Sequence, residues 1–554
     1  MLRSSLIMFA LLTTGQGAQA EQPPAPGQLQ QIPPASVPQR PAPAIRIERP
    51  EPSENAAPEG ARIRVDTLRV TGATLFTEAQ LVAEAGLIPG RYLTLPELRN
   101  GAARITRFYS AHGYALAQAY LPAQDVVAGT VTIAVVEGHY GSITLRNQSG
   151  VADAVAGKVL KGLNRGDPVA IAPLDRRLLL LSDIPGVVVH STLSPGAEVG
   201  SSDLTVDLTR APRIYGSLEA DNAGNRYTGA YRFGGSANVA NLTGMGDLIS
   251  LRLLASTEGL AYGHAAWQAP LGDATVGVGF THMQYDLGHE FSALHASGTS
   301  DIAGLFASYP LIRSRAANLY VLGGLEAKFL TDEIGLLSQV SDKTIHAATI
   351  GLRGDSRDGF GGGGWNSASL SWTSGRLNIE SPLERAADAA SARSQGGFNK
   401  LQFAVSRLQT VRGPLSVYGA VRGQMATDNL DISEKMELGG AYGVRAYPEG
   451  EAYGDQGYVA TLEARWTLDA WTRPIPGQFQ LIAFVDAGEV DYAKDPWFPG
   501  PNRARRSGGG LGVNWFGPDN LSVRVAYARR FNDQISTSEP DKKGRVWVQI
   551  VKLF

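Results

Sequence analysis

From residue 213 to the C-terminus the chain runs in segments of about ten residues that alternate apolar with polar and are separated by turns, and this texture narrows the possible folds more than any other feature. In residues 249–255, Ile249, Leu251, Leu253 and Ala255 form one row while Ser250 and Arg252 face the other way. Residues 458–466 set Tyr458, Ala460, Leu462, Ala464 and Trp466 against Thr461, Glu463 and Arg465, and residues 521–527 repeat the pattern with Arg524 on the polar side. A period of two is that of a strand, whose successive side chains point to opposite faces. Arginines and glutamates behind a wholly apolar row imply lipid on one side and a wet lumen on the other, because a soluble sandwich keeps fewer charges opposite its buried row. The segments number about sixteen, an even count as bacterial barrels require. Their connections alternate between short (241–246, 270–273, 517–520) and long (287–300, 376–397, 428–456, 489–506), which assigns the short ones to the periplasm and the long ones outside.

The beginning of the chain points to the same compartment. Residues 1–20 carry Arg3, an apolar stretch over 6–12 and Ala18-Gln19-Ala20, the parts of a cleavable signal peptide. No later run reaches the roughly 18 to 20 apolar residues of a membrane helix, so a membrane would have to be crossed by strands. Cysteine is absent, which excludes disulfides and thiolate metal sites. A net charge of −2 argues against a nucleic-acid partner, and 65 glycines with only 18% charged residues suit many short strands and turns. Residues 21–60 are proline-rich, as in Pro33-Pro34 and Pro41-Ala42-Pro43, and read as an extended linker.

Between linker and barrel stand two similar units. Residues 63–70 hold two alternating pairs, Ile63 with Val65 and Leu68 with Val70, and read as the first strand, 77–85 and 95–112 read as helices, and 115–121 and 130–136 as strands ending at Glu137-Gly138; Pro96 and Glu97 favour the second helix's start. The order β-α-α-β-β returns at 142–145, 152–163, 173–182, 187–193 and 203–208, a repeat of roughly 75 residues. This unit resembles the polypeptide-transport-associated (POTRA) module, with one copy over 61–138 and another over 139–212. The last strands of such modules leave a sheet edge where an unfolded guest can add itself as a strand.

The loop 428–456 would be the sixth external one, and it contains Gly443-Val444-Arg445-Ala446-Tyr447-Pro448. Two strands later, Phe484-Val485-Asp486-Ala487-Gly488 places Phe484, Asp486 and Gly488 on the inward row. The pair resembles the VRGY-type lid tip and the F-x-D-x-G wall strand of the two-partner secretion (TpsB-type) outer-membrane transporters, the haemolysin secretion/activation proteins. The tip departs from the commonest form at Ala446, where glycine is usual. Residues 221–229, residues 241–247 and the aromatic terminus Phe554 extend the resemblance over nearly the whole mature chain.

The resemblance implies an all-β transmembrane barrel of about 16 antiparallel strands behind two small α+β POTRA domains. It implies outer-membrane localisation with the modules in the periplasm. It also implies translocation of a large secreted exoprotein bound through POTRA, insertion by the barrel assembly machinery through Phe554, and no cofactor or nucleic acid. In this family a short plug helix can precede the linker, and here only residues 27–32 could supply it. It further implies that the lid folds inward with Arg445 pairing Asp486 and Tyr447 packing on the same strand, where Phe484 offers a surface, while Glu463 and Arg465 extend the network. Taken alone, Arg445 and Asp486 admit a blander reading as a solvated surface pair worth under about 1 kcal/mol. A barrel-insertion factor would share the lid motif but carry more POTRA copies, and a general porin has no use for such modules.

Other chemistry finds little support. Residues 359–364 match G-x-G-x-x-G, yet 365–372 continues as a strand where a dinucleotide site needs a helix, so a turn is expected. His289 and His295 share an external loop without a carboxylate at ligand spacing, and no nucleophile elbow occurs, so neither a metal nor a catalytic site is expected.

Overall fold

The computed structural model describes residues 43–48, 62–468 and 475–554; the expected signal peptide (1–20) and plug segment (27–32) lie outside them. Within the linker, Ile45–Ile47 form strand β1. The first module contains β2 (Arg62–Val65), β3 (Thr67–Thr71), α1 (Glu78–Ala85), β4 (Arg91–Thr94), α2 (Leu95–Ala111), β5 (Gln118–Tyr120) and β6 (Thr130–Val136).

The single strand expected over 63–70 is two strands. The amides of Asp66 and Thr67 both donate to the Gly129 carbonyl, at 2.8 and 3.2 Å, and that bend sends β2 to pair with β4 and β3 to pair in parallel with β6. The short strand β4 is an addition to the expected β-α-α-β-β order. Both helices begin on capping boxes, Thr77 with Gln80 and Thr94 with Glu97, and bury Leu81, Leu98, Ile105 and Tyr109 against Val131 and Ile133.

The second module comprises β7 (His139–Asn147), α3 (Asp153–Leu160), α4 (Ile171–Asp183), β8 (Val187–Pro195) and β9 (Ser201–Arg210). Its sheet has the order β1-β8-β9-β7, so one edge is covered by the linker. Ile45 pairs with Ser191 and Ile47 with Leu193 in parallel register, and both isoleucines pack on the module's core. This corrects one expectation: this edge of the sheet is not open over residues 191–193. The sparse apolar residues of the linker are enough for three residues of pairing because the partner strand supplies the hydrogen bonds and the apolar floor.

Sixteen antiparallel strands close the barrel: β10 (Ile214–Asp221), β11 (Arg232–Ala240), β12 (Leu248–Ser256), β13 (Ala261–Leu271), β14 (Ala274–Asp286), β15 (Ala296–Arg313), β16 (Ala317–Ile334), β17 (Gln339–Asp358), β18 (Gly364–Ile379), β19 (Gly396–Arg412) and β20 (Leu415–Ala426), then β23 (Gln456–Leu468), β24 (Gln478–Asp491), β25 (Arg503–Phe516), β26 (Leu521–Arg530) and β27 (Gly544–Leu553). The intervening β21 (Met436–Glu437) and β22 (Tyr453–Gly454) pair with each other inside the sixth loop.

Alternation holds where it was read: Leu251, Leu253, Tyr458, Leu462 and Trp466 are exposed, while Arg252 and Glu463 are buried on the inner row. Strands β15 to β19 outrun the membrane and continue into stretches read as loops. Loop 376–397, for example, gives up its ends to β18 and β19 and holds helix α5 (Pro382–Ala389), capped by Ser381. Residues 360–362 form a single 3-10 turn, and strand β18 follows it.

The second module is docked on the periplasmic rim by charge. Arg177 on α4 gives Asp273 two hydrogen bonds of 3.1 Å, Arg313 binds Asp183 at 2.7 and 2.8 Å, and Arg315 binds Asp175 at 2.7 Å. These contacts hold helix α4 against the barrel at Asp273, Arg313 and Arg315.

Candidate functional site

Loop six does not stand out in solvent. The β21–β22 ladder continues as hydrogen bonds from Leu438 to Ala452 and from Gly439 to Glu451, each 3.0 Å, and carries the tip inside the barrel. There Leu438, Val444, Ala446 and Tyr447 are buried in one cluster with Phe484, Val459, Val490 and Ala504 of the wall. Two wall glycines make the approach possible. A side chain at Gly488 would collide with Leu438 at 2.6 Å, and one at Gly508 would collide with Ala446 at 2.3 Å.

Arg445 meets Asp486 in a fork: Nε donates to Oδ2 at 2.7 Å, Nη2 to Oδ1 at 2.8 Å, and its backbone amide to Oδ2 at 3.2 Å. Nη1 donates to Glu463 at 2.8 Å, and Glu463 in turn accepts from Arg465 at 2.7 and 2.8 Å. Thr461 donates to Asp486 at 2.9 Å, and the indole of Trp547 donates to the Arg445 carbonyl at 2.7 Å. Asp486 is 0% exposed and Glu463 6%. The network is therefore far drier than a solvated surface pair.

Two expected contacts are rearranged. The flat group stacked on Phe484 is the Arg445 guanidinium, 3.5 Å from the ring centroid, and not the Tyr447 ring. Tyr447 turns toward β25 and the last loop, with Arg506 beside its ring at 5.1 Å and its hydroxyl donating to Asn532 at 2.9 Å. Ala446 keeps a negative φ, so the methyl in place of the usual glycine meets no backbone penalty there.

The sequence reading missed a second set of contacts at the base of the loop. Glu434 is held between Lys328 and Lys400 at 2.8 and 2.7 Å, Asp431 binds Lys343 at 3.0 Å, and Asp455 binds Lys435 at 2.7 Å. Glu451 accepts from Arg506 at 2.8 Å and from the amides of Thr537 and Ser538 at 2.8 and 3.1 Å. The available signal was the inward parity of Lys328, Lys343 and Lys400 in their strands. Burial, and then the charge of Glu449, raises the Glu437 carboxyl of the lid, and burial pushes Glu449 up to about 7.

On the outer rim His289 reaches Glu258 at 2.7 Å, a carboxylate from a different loop. No group of three or more potential metal ligands occurs among the described residues.

A wall carboxylate and a loop arginine thus bury each other inside the barrel. Residues 200–514 match the haemolysin secretion/activation protein family ShlB/FhaC/HecB, and residues 63–138 match the ShlB-type POTRA domain. The chain belongs to the haemolysin secretion/activation protein family.

Similar proteins include the heme/hemopexin transporter protein HuxB of Haemophilus influenzae, 27% identical over 481 residues that cover 84% of this chain and 82% of HuxB. The outer membrane transporter CdiB of Dickeya dadantii is 23% identical over 80% of this chain and 79% of its own. The fold matches the solved structure of CdiB from Escherichia coli with a TM-score of 0.69 at 20% identity, covering 91% of this chain and 93% of that one. Like other members of the family, the protein is an outer-membrane two-partner secretion transporter with periplasmic POTRA modules, and it translocates a secreted exoprotein.

Proposed function

We propose that the transporter rests closed, with Arg445, Asp486 and Glu463 holding loop 428–456 in the lumen, and opens when an unfolded exoprotein arriving on the POTRA modules displaces that loop. The observation that carries this reading is the complete burial of Asp486 against an arginine from the loop. Asp486 pairs with no other cation among the described residues, while Arg445 also binds Glu463 of the wall, and stranding a buried charge costs about 3–5 kcal/mol, so loop and wall each need the other.

In this reading residues 1–20 are removed on export, 21–60 link to the modules at 61–138 and 139–212, and 213–554 form the conduit. No catalytic residue, metal or cofactor takes part, and folding of the cargo outside supplies direction. Phe554, exposed at the end of the closing strand, is the signal for the barrel assembly machinery, and the outward apolar rows face outer-membrane lipid. A chain with two modules and this family's barrel is better suited to secretion than to inserting other barrels.

Asp486→Asn keeps shape and removes charge. It is expected to reduce secretion of the cognate exoprotein and to change channel conductance at normal barrel abundance; unchanged secretion and conductance would refute the proposed closure.

A further inference from the structure

The outer wall carries two outward arginines near the same strand, and they differ in how they are satisfied. Arg407 on β19 lies opposite Asn366 of β18, and its guanidinium binds Asp358 at 2.7 and 2.9 Å. Arg376 lies further along β18, is exposed, and its guanidinium forms no hydrogen bond or ion pair among the described residues. Between Asn366 and Arg376 the outward row reads Ala368, Leu370, Trp372 and Ser374. Ten residues at about 3.3 Å on a strand tilted about 40° rise about 25 Å, the height of the apolar band of such barrels. Strand β18 leaves the periplasmic turn at 360–362 and ends in the fifth external loop, so Arg407 marks the periplasmic edge of the band and Arg376 the external edge.

His346 of β17 is the ladder partner of Arg376 and is also exposed on the outside, since the alternate residue parity in these strands turns Lys343 and Lys328 inward to the lid. His346 and Arg376 line one depression of about 800 Å³, floored by Ala303, Ala327 and Ala348 and walled by Leu305 and Leu325. Outward carboxylates on neighbouring strands have partners of their own: Asp301 accepts from His282 at 2.7 Å and Glu380 from Thr344 at 3.2 Å.

A free guanidinium at the edge of hydrocarbon, above an apolar depression, has the chemistry of a lipid phosphate site. We propose that this face binds a phosphorylated glycolipid of the outer leaflet, with a phosphate on Arg376 and His346 and an acyl chain along the alanine floor. The outer leaflet is the source because Arg376 stands at the external edge, while the arginine at the periplasmic edge is already neutralised.

The test uses the full chain, purified in nonionic detergent and stripped of lipid, titrated with bisphosphorylated lipid A, dephosphorylated lipid A or phosphatidylglycerol while the unfolding temperature of the barrel is recorded. Bisphosphorylated lipid A is expected to raise that temperature, with about fivefold weaker apparent affinity for Arg376→Gln, a further loss for Arg376→Gln with His346→Gln, and no loss for Arg407→Gln. Equal affinity for parent and Arg376→Gln, an equal loss with Arg407→Gln, or equal binding of dephosphorylated lipid A or phosphatidylglycerol would each overturn the proposal.

Discussion

Ala446 of the lid sits directly on Gly508 of the wall, where a Cβ at Gly508 would lie 2.3 Å from the alanine methyl. The contact is a volume match between two small residues, and it leaves no room for one more carbon. Gly508→Ala should therefore push the tip off the wall and raise conductance, while the barrel stays folded and heat-modifiable. Ala446→Gly in the same chain should recover part of the parent conductance, the rest staying lost because the new methyl also lies 2.8 Å from the Arg529 carbonyl oxygen, and no recovery at all would show that contact with Ala446 is not what moves the tip.

Glu434 satisfies two lysines at once and is 2% exposed. Glu434→Ala leaves Lys400 without an ion-pair partner among the described residues and Lys328 with only Glu326 at 3.8 Å, a change worth about 3–5 kcal/mol for a buried pair. Loosening should appear at the base of the loop, as protease cleavage within 428–435 that the parent resists, even with Arg445 and Asp486 intact. Glu434→Gln, which keeps one acceptor, should fall between the two.

In the first module, burial alone would raise the Glu137 carboxyl, but hydrogen bonds from Thr74, Tyr109 and the backbone amides of Leu75 and Thr74 hold it below its ordinary value. A depressed carboxyl stabilises the fold above its unfolded pKa of about 4.5, and that contribution is lost as pH falls through the folded value. Melting of the first module should thus drop below about pH 4.5, and Glu137→Gln should flatten that part of the profile. An identical acid profile for the variant would remove Glu137 as the cause.

Hydrogen exchange reads the linker strand. Ile47→Pro removes a paired residue of β1, and the amides of β8 around residues 191–193 should exchange faster while those of β6 in the other module stay protected. Unchanged protection at 191–193 would show that β1 does not occupy that edge in solution.

The barrel was legible because every second residue of a membrane strand faces lipid, so rows such as Leu251 and Leu253 declare themselves. The parts above the membrane follow no such rule: on β16 the row passes from Phe329 to Thr331 and Glu333, and its strand continues without the apolar signal. Arg445 and Asp486 were legible through the resemblance, which also named the partner across 41 positions. Lys328 and Glu434 lie 106 positions apart, and parity says that a lysine faces inward but not which loop carboxylate will meet it. Strands β1 and β4, three and four residues long, are too short to show a period and exist only because a neighbouring strand accepts them.

Glu463 decides the most direct test of the lid closure. With Arg445→Asp and Asp486→Arg together, the new aspartate would face Glu463, which now accepts from Arg445 at 2.8 Å. Secretion of the cognate exoprotein and single-channel conductance, measured at matched barrel abundance, should be as impaired in this swap as in Arg445→Ala. Adding Glu463→Gln to the swap should recover part of both. Normal secretion and conductance in Arg445→Ala, or full recovery by the swap without Glu463→Gln, would contradict the account.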